Sequence, residues 1–450
     1  MTLLSRLRAV VADDREIEAL VEAAAGGGAV YGTSGAVDYL CGDKKHTVFA
    51  HARFKNGRVS SLEPGPALKS SRSQEAFLQR AATDSAHSHG TIVSSRVLFA
   101  ERPLSGAFTW ADRLRISPCP KRARIRRGLD WAAGHTLPGN TPRHLGPPYP
   151  FLLEVRSFRS PNAFLQTNRA LRELDTAQYL LTVLLHGRLQ YAHHSSERVW
   201  VSVKRRARID YHLLHQGFDA GVPGETSDFP TRRVPRAPVY SGPDYYNHLW
   251  PRDPELLIPS TLDQDLNFFN GLTPERQKQF VRASYWYSLG IQFAGEPSLS
   301  TVAHATAIEC LLPRPSTARC DACGKPAGHG PTYWFNQHLR RYAPIPSSLT
   351  SQKAAFYAAR SALVHGTHAD RADSDAFSIA RRSIDPLLVA ILSQRSLVGW
   401  LRDNDKVVQD SGSKSGAAFA AGSTAPSGCA LRSNAERQRK AAPLTAADRA

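Results

Sequence analysis

Hydrophobic positions change period several times along this chain. Residues 3–25 carry apolar side chains at Leu3, Leu7, Val10 and Val11, then at Ile17, Leu20 and Val21. That is helical spacing, and Gly26-Gly27-Gly28 ends it. Period-two alternation follows at 47–54, 91–99, 108–116 and 151–158, with Gly, Pro and Ser clusters between the runs. After Ser160-Pro161-Asn162 the spacing is helical again to about His186, and Gly187 supplies a stop. Residues 190–193 and 198–203 read as two more strands. The pattern predicts an α+β N-terminal domain over residues 1–205.

Prolines at 223, 230, 235, 238, 243, 251, 254 and 259 forbid regular helix or central strand there, so 206–272 is expected to be a linker or an irregular wrap. Its aromatics (Phe229, Tyr240, Tyr245, Tyr246 and Trp250) suit a segment that packs on something. From Thr273 the texture is helical. Thr273-Pro274-Glu275 reads as an N-cap, a first-turn proline and a first-turn acid, opening a helix to about Phe293. Further helices are expected from Ser298 or Ser300 to Pro313, over 333–342 and 352–365, and over 375–400 with a bend at Pro386. The all-α region covers 273–403. Residues 404–450, rich in Ser, Gly, Ala, Lys and Arg, are expected to form a disordered tail.

Composition narrows the class. With 450 residues, 42% hydrophobic and 21% charged, the chain can build a core, and wholesale disorder is excluded. No stretch approaches the ~20 uncharged apolar residues of a membrane span. The N-terminus meets Asp13 and Asp14 too early for a signal peptide. Six cysteines do not make a disulfide scaffold, so a soluble cytoplasmic protein is the economical reading. Lys and Arg total 57 against 39 Asp and Glu, a net charge of +18 that suits a polyanionic partner. Residues 51–150 hold 16 basic and 6 acidic residues, whereas 251–400 hold 15 and 12, so the excess lies largely outside the helical region. Its densest run is Lys121-Arg122-Ala-Arg124-Ile-Arg126-Arg127, which could present a basic edge to an RNA backbone. A second run, Lys204-Arg-Arg-Ala-Arg208, is of the same kind.

The stretch with most chemistry is Tyr357-Ala-Ala-Arg360-Ser361-Ala-Leu-Val-His365-Gly366. Histidine exchanges protons near neutral pH and arginine grips a phosphate with a planar fork, which is enough for metal-free cleavage of an RNA phosphodiester by its own 2′-hydroxyl. On an ideal helix the two side chains stand about 140° apart, but the following glycine lets the helix end depart from ideal geometry. The alternative reading of such a pair is a histidine satisfying the last helical carbonyls.

Arg-x4-His-Gly at the end of a helix, within an all-helical C-terminal domain, resembles the HEPN superfamily. Arg-Ser-Ala-Leu-Val-His-Gly is most similar to the Apea-like HEPN branch, with Ala307-Ile308-Glu309-Cys310-Leu311-Leu312 similar to that branch's earlier helix. The resemblance covers about 273–403. It implies an HEPN-like helical bundle that dimerises so that two motifs face one cleft, and in many members a metal-independent endoribonuclease of antiphage defence or toxin type. Carried over, His365 would be the general acid/base and Arg360 would hold the scissile phosphate. Ser361 would fill the polar slot after the arginine, where many active members carry Asn, Asp or His. Glu309 would be a further candidate at the site. The superfamily also includes silent members that bind RNA or nucleotide, so a catalytically inactive module stands as the alternative.

No cofactor is required by this chemistry. Cys320-Asp-Ala-Cys323-Gly is half of a zinc knuckle, which Cys310, His329 or His338 could help complete as a structural zinc site. The paired histidines at 87/89, 193/194 and 212/215 lack companions at ligand spacing. The glycines at 26–28 and 32–35 lack the Gly-Lys-[Ser/Thr] of a phosphate loop.

Overall fold

Two larger antiparallel sheets, three two-stranded ones and ten α-helices occur among the described residues. The computed structural model describes residues 1–412 except 12–15, 27–29, 34, 42–46, 56–57, 87–88, 121–123, 126–148, 186–188, 192–196, 206–207, 217, 220–224, 230–233, 248–252, 295, 314–329, 345 and 366–384. The first sheet is a four-stranded meander of β1 (Val30–Thr33), β2 (Ala36–Leu40), β3 (Val48–Lys55) and β4 (Arg58–Pro64). Three helices, α1 (Leu3–Val10), α2 (Ile17–Ala24) and α3 (Ser71–Ser85), accompany it, and together these elements bury a core around Leu7, Ile17, Tyr39, Ala50 and Leu78.

The second sheet is built on β5 (Thr91–Ala100), followed in the chain by β6 (Phe108–Trp110), β7 (Leu114–Pro118), the short β8 (Arg124–Ile125) and β9 (Tyr149–Phe158). β5 and β9 pair along their full length, from Thr91 opposite Phe158 to Ala100 opposite Tyr149, and the strand order continues through β7 to β6. Residues 108–116, expected as one strand, form a hairpin instead. Ala111 and Asp112 take φ of 42° and 47° at its turn, a left-handed conformation usually marked by glycine or asparagine. Arg156 offsets that strain, donating from Nε to the Asp112 carbonyl at 2.9 Å and pairing with the Asp112 carboxylate at 2.9 Å.

The helix α4 (Ala163–Leu184) lies against this sheet, opened by Asn162, whose carboxamide oxygen accepts from the N–H groups of Phe164 and Leu165. Its Arg169 links the two sheet regions. The guanidinium donates from Nε and Nη2 to the two Glu16 oxygens at 2.7 and 2.8 Å, and also to the carbonyls of Ser85 and Arg159. Both side chains are only 2% exposed.

The C-terminal part is helical: α5 (Leu262–Gly271), α6 (Pro274–Gln292), α7 (Pro297–Glu309), α8 (Pro331–Tyr342), α9 (Thr350–His365) and α10 (Pro386–Gly412). The segment 206–272, expected to be irregular, opens with a nine-residue strand, Arg208–Gln216, paired antiparallel with Glu197–Arg205, and closes with α5. Between them the described residues hold only two-residue strands and one short 3₁₀ turn, as the prolines require. Leu262 and Leu266, one turn apart, bury the inner face of α5. α10 begins at Pro386, where Asp385 accepts from the Leu387 N–H, a cap ahead of a first-turn proline; residues 375–384 of the helix expected over 375–400 lie outside the described residues. α10 also continues through Gly412, past Asn404, where a tail was expected to start; residues 413–450 lie outside the described residues. One hydrophobic core, which includes Leu98, Leu153, Leu181, Phe280, Ile308, Phe356 and Leu397, joins the second sheet to these helices within Met1–Lys406. No helix among the described residues is long and apolar enough to cross a membrane.

Candidate functional site

Arg360 is held by the way α9 is pinned. Phe356 is fully buried and meets Phe335 of α8 edge-on at 5.2 Å, while Tyr357 tilts against the same ring at 4.8 Å. Lys353, a turn earlier, donates to the last carbonyls of α8, Leu339 at 2.8 Å and Ala343 at 2.9 Å. Burial lowers its pKa, with Arg395 and Arg340 adding to the effect. Four residues after Phe356 on this fixed helix, Arg360 meets the end of α7.

There Nη2 of Arg360 donates to Oε2 of Glu309 at 3.0 Å, with the two side chains 21% and 23% exposed. The guanidinium also lies 5.9 Å from the Tyr357 ring centroid. The pair uses a single N–H of a group with five; Arg360 Nε is unpartnered but buried, so the spare donors that face outward are those of the two Nη atoms. A cation held by one contact and reachable from solvent retains the two-pronged capacity that phosphate oxygens fit.

α7 itself packs closely on α6 because its buried face is small: Ser300, Thr301, Ala303, Ala305 and Ala307. The larger buried side chains are Ile308 and His304, the latter at the middle of the helix with its ring 5.1 Å from that of Tyr287. A Cβ on Gly290 would stand 2.7 Å from the imidazole, so glycine is required there. Neither ring nitrogen has a partner, and burial pushes the His304 pKa down to about 3. This histidine is a neutral packing group, whereas Glu309, five residues on, is partly exposed and paired with Arg360.

The other expected site residues fall out as follows. Ser361 is half-buried beside Arg360, and His365 is the last residue of α9, with its side chain outside the described residues. Of the basic run, the backbone of Arg124 lies in β8, paired with Phe218–Asp219; Lys121, Arg122, Arg126 and Arg127 lie outside the described residues. So do Cys320, Cys323 and His329. Cys310 follows Glu309 as a free thiol pushed up to about 11 by burial, with Arg282 opposing and Glu309 reinforcing the shift. His338 is 7% exposed against Tyr342, and burial with Arg341 nearby holds its pKa down at about 4. No group of three or more His, Cys, Asp or Glu side chains that could hold a metal occurs among the described residues.

A groove of about 1190 Å³ runs between the end of the second sheet, α4 and α6. Sequence reasoning missed it, although Lys278, Arg282 and Tyr285 follow the i, i+4, i+7 spacing of one helix face. α6 also touches the Glu309 end of α7 directly, Gln279 Nε2 donating to the Cys310 carbonyl at 2.8 Å. Comparison with family models, curated proteins and solved structures finds no match to this chain.

Proposed function

We propose that the helical part is an HEPN-like module and that the protein is a metal-independent endoribonuclease, in which Arg360 grips the scissile phosphate and His365 moves the proton. The reading rests on one observation above the rest: the fold brings Glu309 and Arg360, 51 residues apart in sequence, within 3.0 Å on two adjacent helices, on the helix that His365 ends. In the step proposed, the 2′-oxygen bonds to phosphorus and the phosphorus–O5′ bond breaks. The 2′-hydroxyl proton passes to the imidazole, and the departing O5′ takes a proton from a second imidazole, supplied by the same motif of another protomer. The products are a 2′,3′-cyclic phosphate and a 5′-hydroxyl. Arg360 neutralises the charge that builds on the phosphate oxygens. A homodimer, a cytoplasmic setting and a role in antiphage growth arrest belong to this reading as expectations.

A second reading has its own observation. Glu309 and Arg360 neutralise each other, which suits a silent module that binds RNA without cutting it. The two separate in one assay. Incubated with RNA in EDTA, the protein is expected to release cyclic-phosphate ends, and Arg360→Ala or His365→Ala to lower the rate ~100-fold or more. Undiminished cleavage by His365→Ala would sink the nuclease; RNA retained with no product in the wild type would select the silent module.

A further inference from the structure

The groove beside α6 is a surface that the proposed chemistry leaves unexplained. Its walls carry six cationic side chains against three carboxylates; Arg156 is paired with Asp112 and Asp228 and Arg169 with Glu16, which leaves the positive surplus on Arg113, Lys278 and Arg282. The carboxylates are partly spent: Glu16 is taken by Arg169, with Arg172 at 3.8 Å, and Glu173 lies 3.9 Å from Arg172. Lys278 and Arg282 have no acidic partner among the described residues, and successive turns of α6 aim them at the same opening.

Aromatic surface alternates with this charge. Tyr285 is 39% exposed and is braced edge-on by Tyr179 at 5.4 Å and Trp286 at 5.8 Å. Across the groove Phe158 is 47% exposed at the end of β9. Trp110 is held by its Nε1–H on Asn267 at 3.0 Å, with the Arg113 guanidinium 5.9 Å from its ring. A polyanion without flat faces, such as polyphosphate, would make no use of these rings. A duplex hides its bases, whereas a single strand offers both phosphates and bases to stack.

From these observations we infer that the groove is a binding track for single-stranded RNA, with Lys278 and Arg282 on phosphates and Tyr285 under a base. α6 forms its wall and also braces the end of α7 that carries Glu309, so a strand lying along α6 is led toward Arg360. The inference deepens the nuclease reading by placing its substrate, but binding here does not require cleavage.

The test uses the full-length protein in EDTA and a fluorescein-labelled ten-nucleotide oligouridylate, with binding measured in the His365→Ala background so that no product forms. Lys278→Glu with Arg282→Glu is expected to weaken binding at least tenfold and to lower the salt slope by about 1.4, the share of two phosphate contacts on a single strand. Tyr285→Ala is expected to cost roughly tenfold more with the salt slope unchanged. Lys278→Arg with Arg282→Lys, equally folded by circular dichroism, should retain wild-type affinity. Unchanged binding in the charge-reversal variant overturns the track, as does an oligouridylate that binds no tighter than polyphosphate of equal charge. Binding lost on charge reversal in a protein that cuts nothing would keep the track and remove the nuclease.

Discussion

Two Arg–Glu pairs in this molecule use the same chemistry for opposite ends. Arg169 and Glu16 are 2% exposed, joined at both carboxylate oxygens, with two more of the guanidinium's donors on backbone carbonyls. Arg360 and Glu309 meet at one contact, each about one-fifth exposed. In the first pair four of the guanidinium's five N–H donors are committed, so it serves to hold α4 to α2 and to the end of α3. In the second, donors are left over at a surface, which is the condition for gripping a ligand. Satisfaction and burial, rather than residue identity, separate a fastening from a site.

The sharpest way to break this contrast is to remove one partner of the closed pair. Arg169→Met strands the Glu16 carboxylate in the interior and is expected to cost ~3–5 kcal/mol, read as the urea midpoint of unfolding. Adding Glu16→Leu should restore most of that loss, because an apolar pair of similar volume avoids the desolvation of both charges. A single variant as stable as the wild type would show that the pair fastens nothing.

The same distinction explains what could be read from the sequence. The β5 and β9 strands were legible because one face of each is apolar at period two, and α6 because Thr273-Pro274-Glu275 spells its start. α3 was not, since Ser, Arg, Gln and Glu fill its outward face and only Phe77, Leu78 and Ala81 supply a buried apolar stripe. The β6–β7 hairpin was hidden because its turn uses Ala111 and Asp112 at positive φ, with the compensation coming from Arg156 on another strand. At the candidate site Arg360 stood out for its spacing to His365. Its pairing with Glu309 depends on how α7 and α9 pack, which no local pattern encodes. The groove is assembled from nine elements spread over the sequence, and only its α6 face left a periodic trace.

A smaller effect tests the contrast within α7, where a buried neutral His304 and a partly exposed, paired Glu309 share one helix. The His304 pKa is about 3 when folded, against an ordinary 6.5 when exposed, so the unfolded chain binds the proton more readily. The stability from keeping this ring neutral is fully present above pH 6.5 and is lost progressively as pH falls toward 3. At pH 5 the loss is about 2 kcal/mol. Comparing urea midpoints at pH 7 and pH 5, His304→Gln should be less pH-sensitive than the wild type by that amount. Equal pH sensitivity would mean that the ring reaches water and titrates normally.

The smallest stability change belongs to the open pair. Glu309→Gln keeps an oxygen acceptor for Arg360 and removes only the counter-charge. With both side chains about one-fifth exposed, solvent screens much of the attraction, and unfolding stability is expected to shift by less than ~1 kcal/mol. The effect on RNA should be larger and opposite in sign to that of a disabling mutation. Without the carboxylate competing for the guanidinium, oligouridylate should bind severalfold more tightly at low salt, and the gain should fade as salt rises. A variant destabilised by as much as Arg169→Met would make Arg360–Glu309 a second fastening, and the difference between the two pairs would be one of exposure alone.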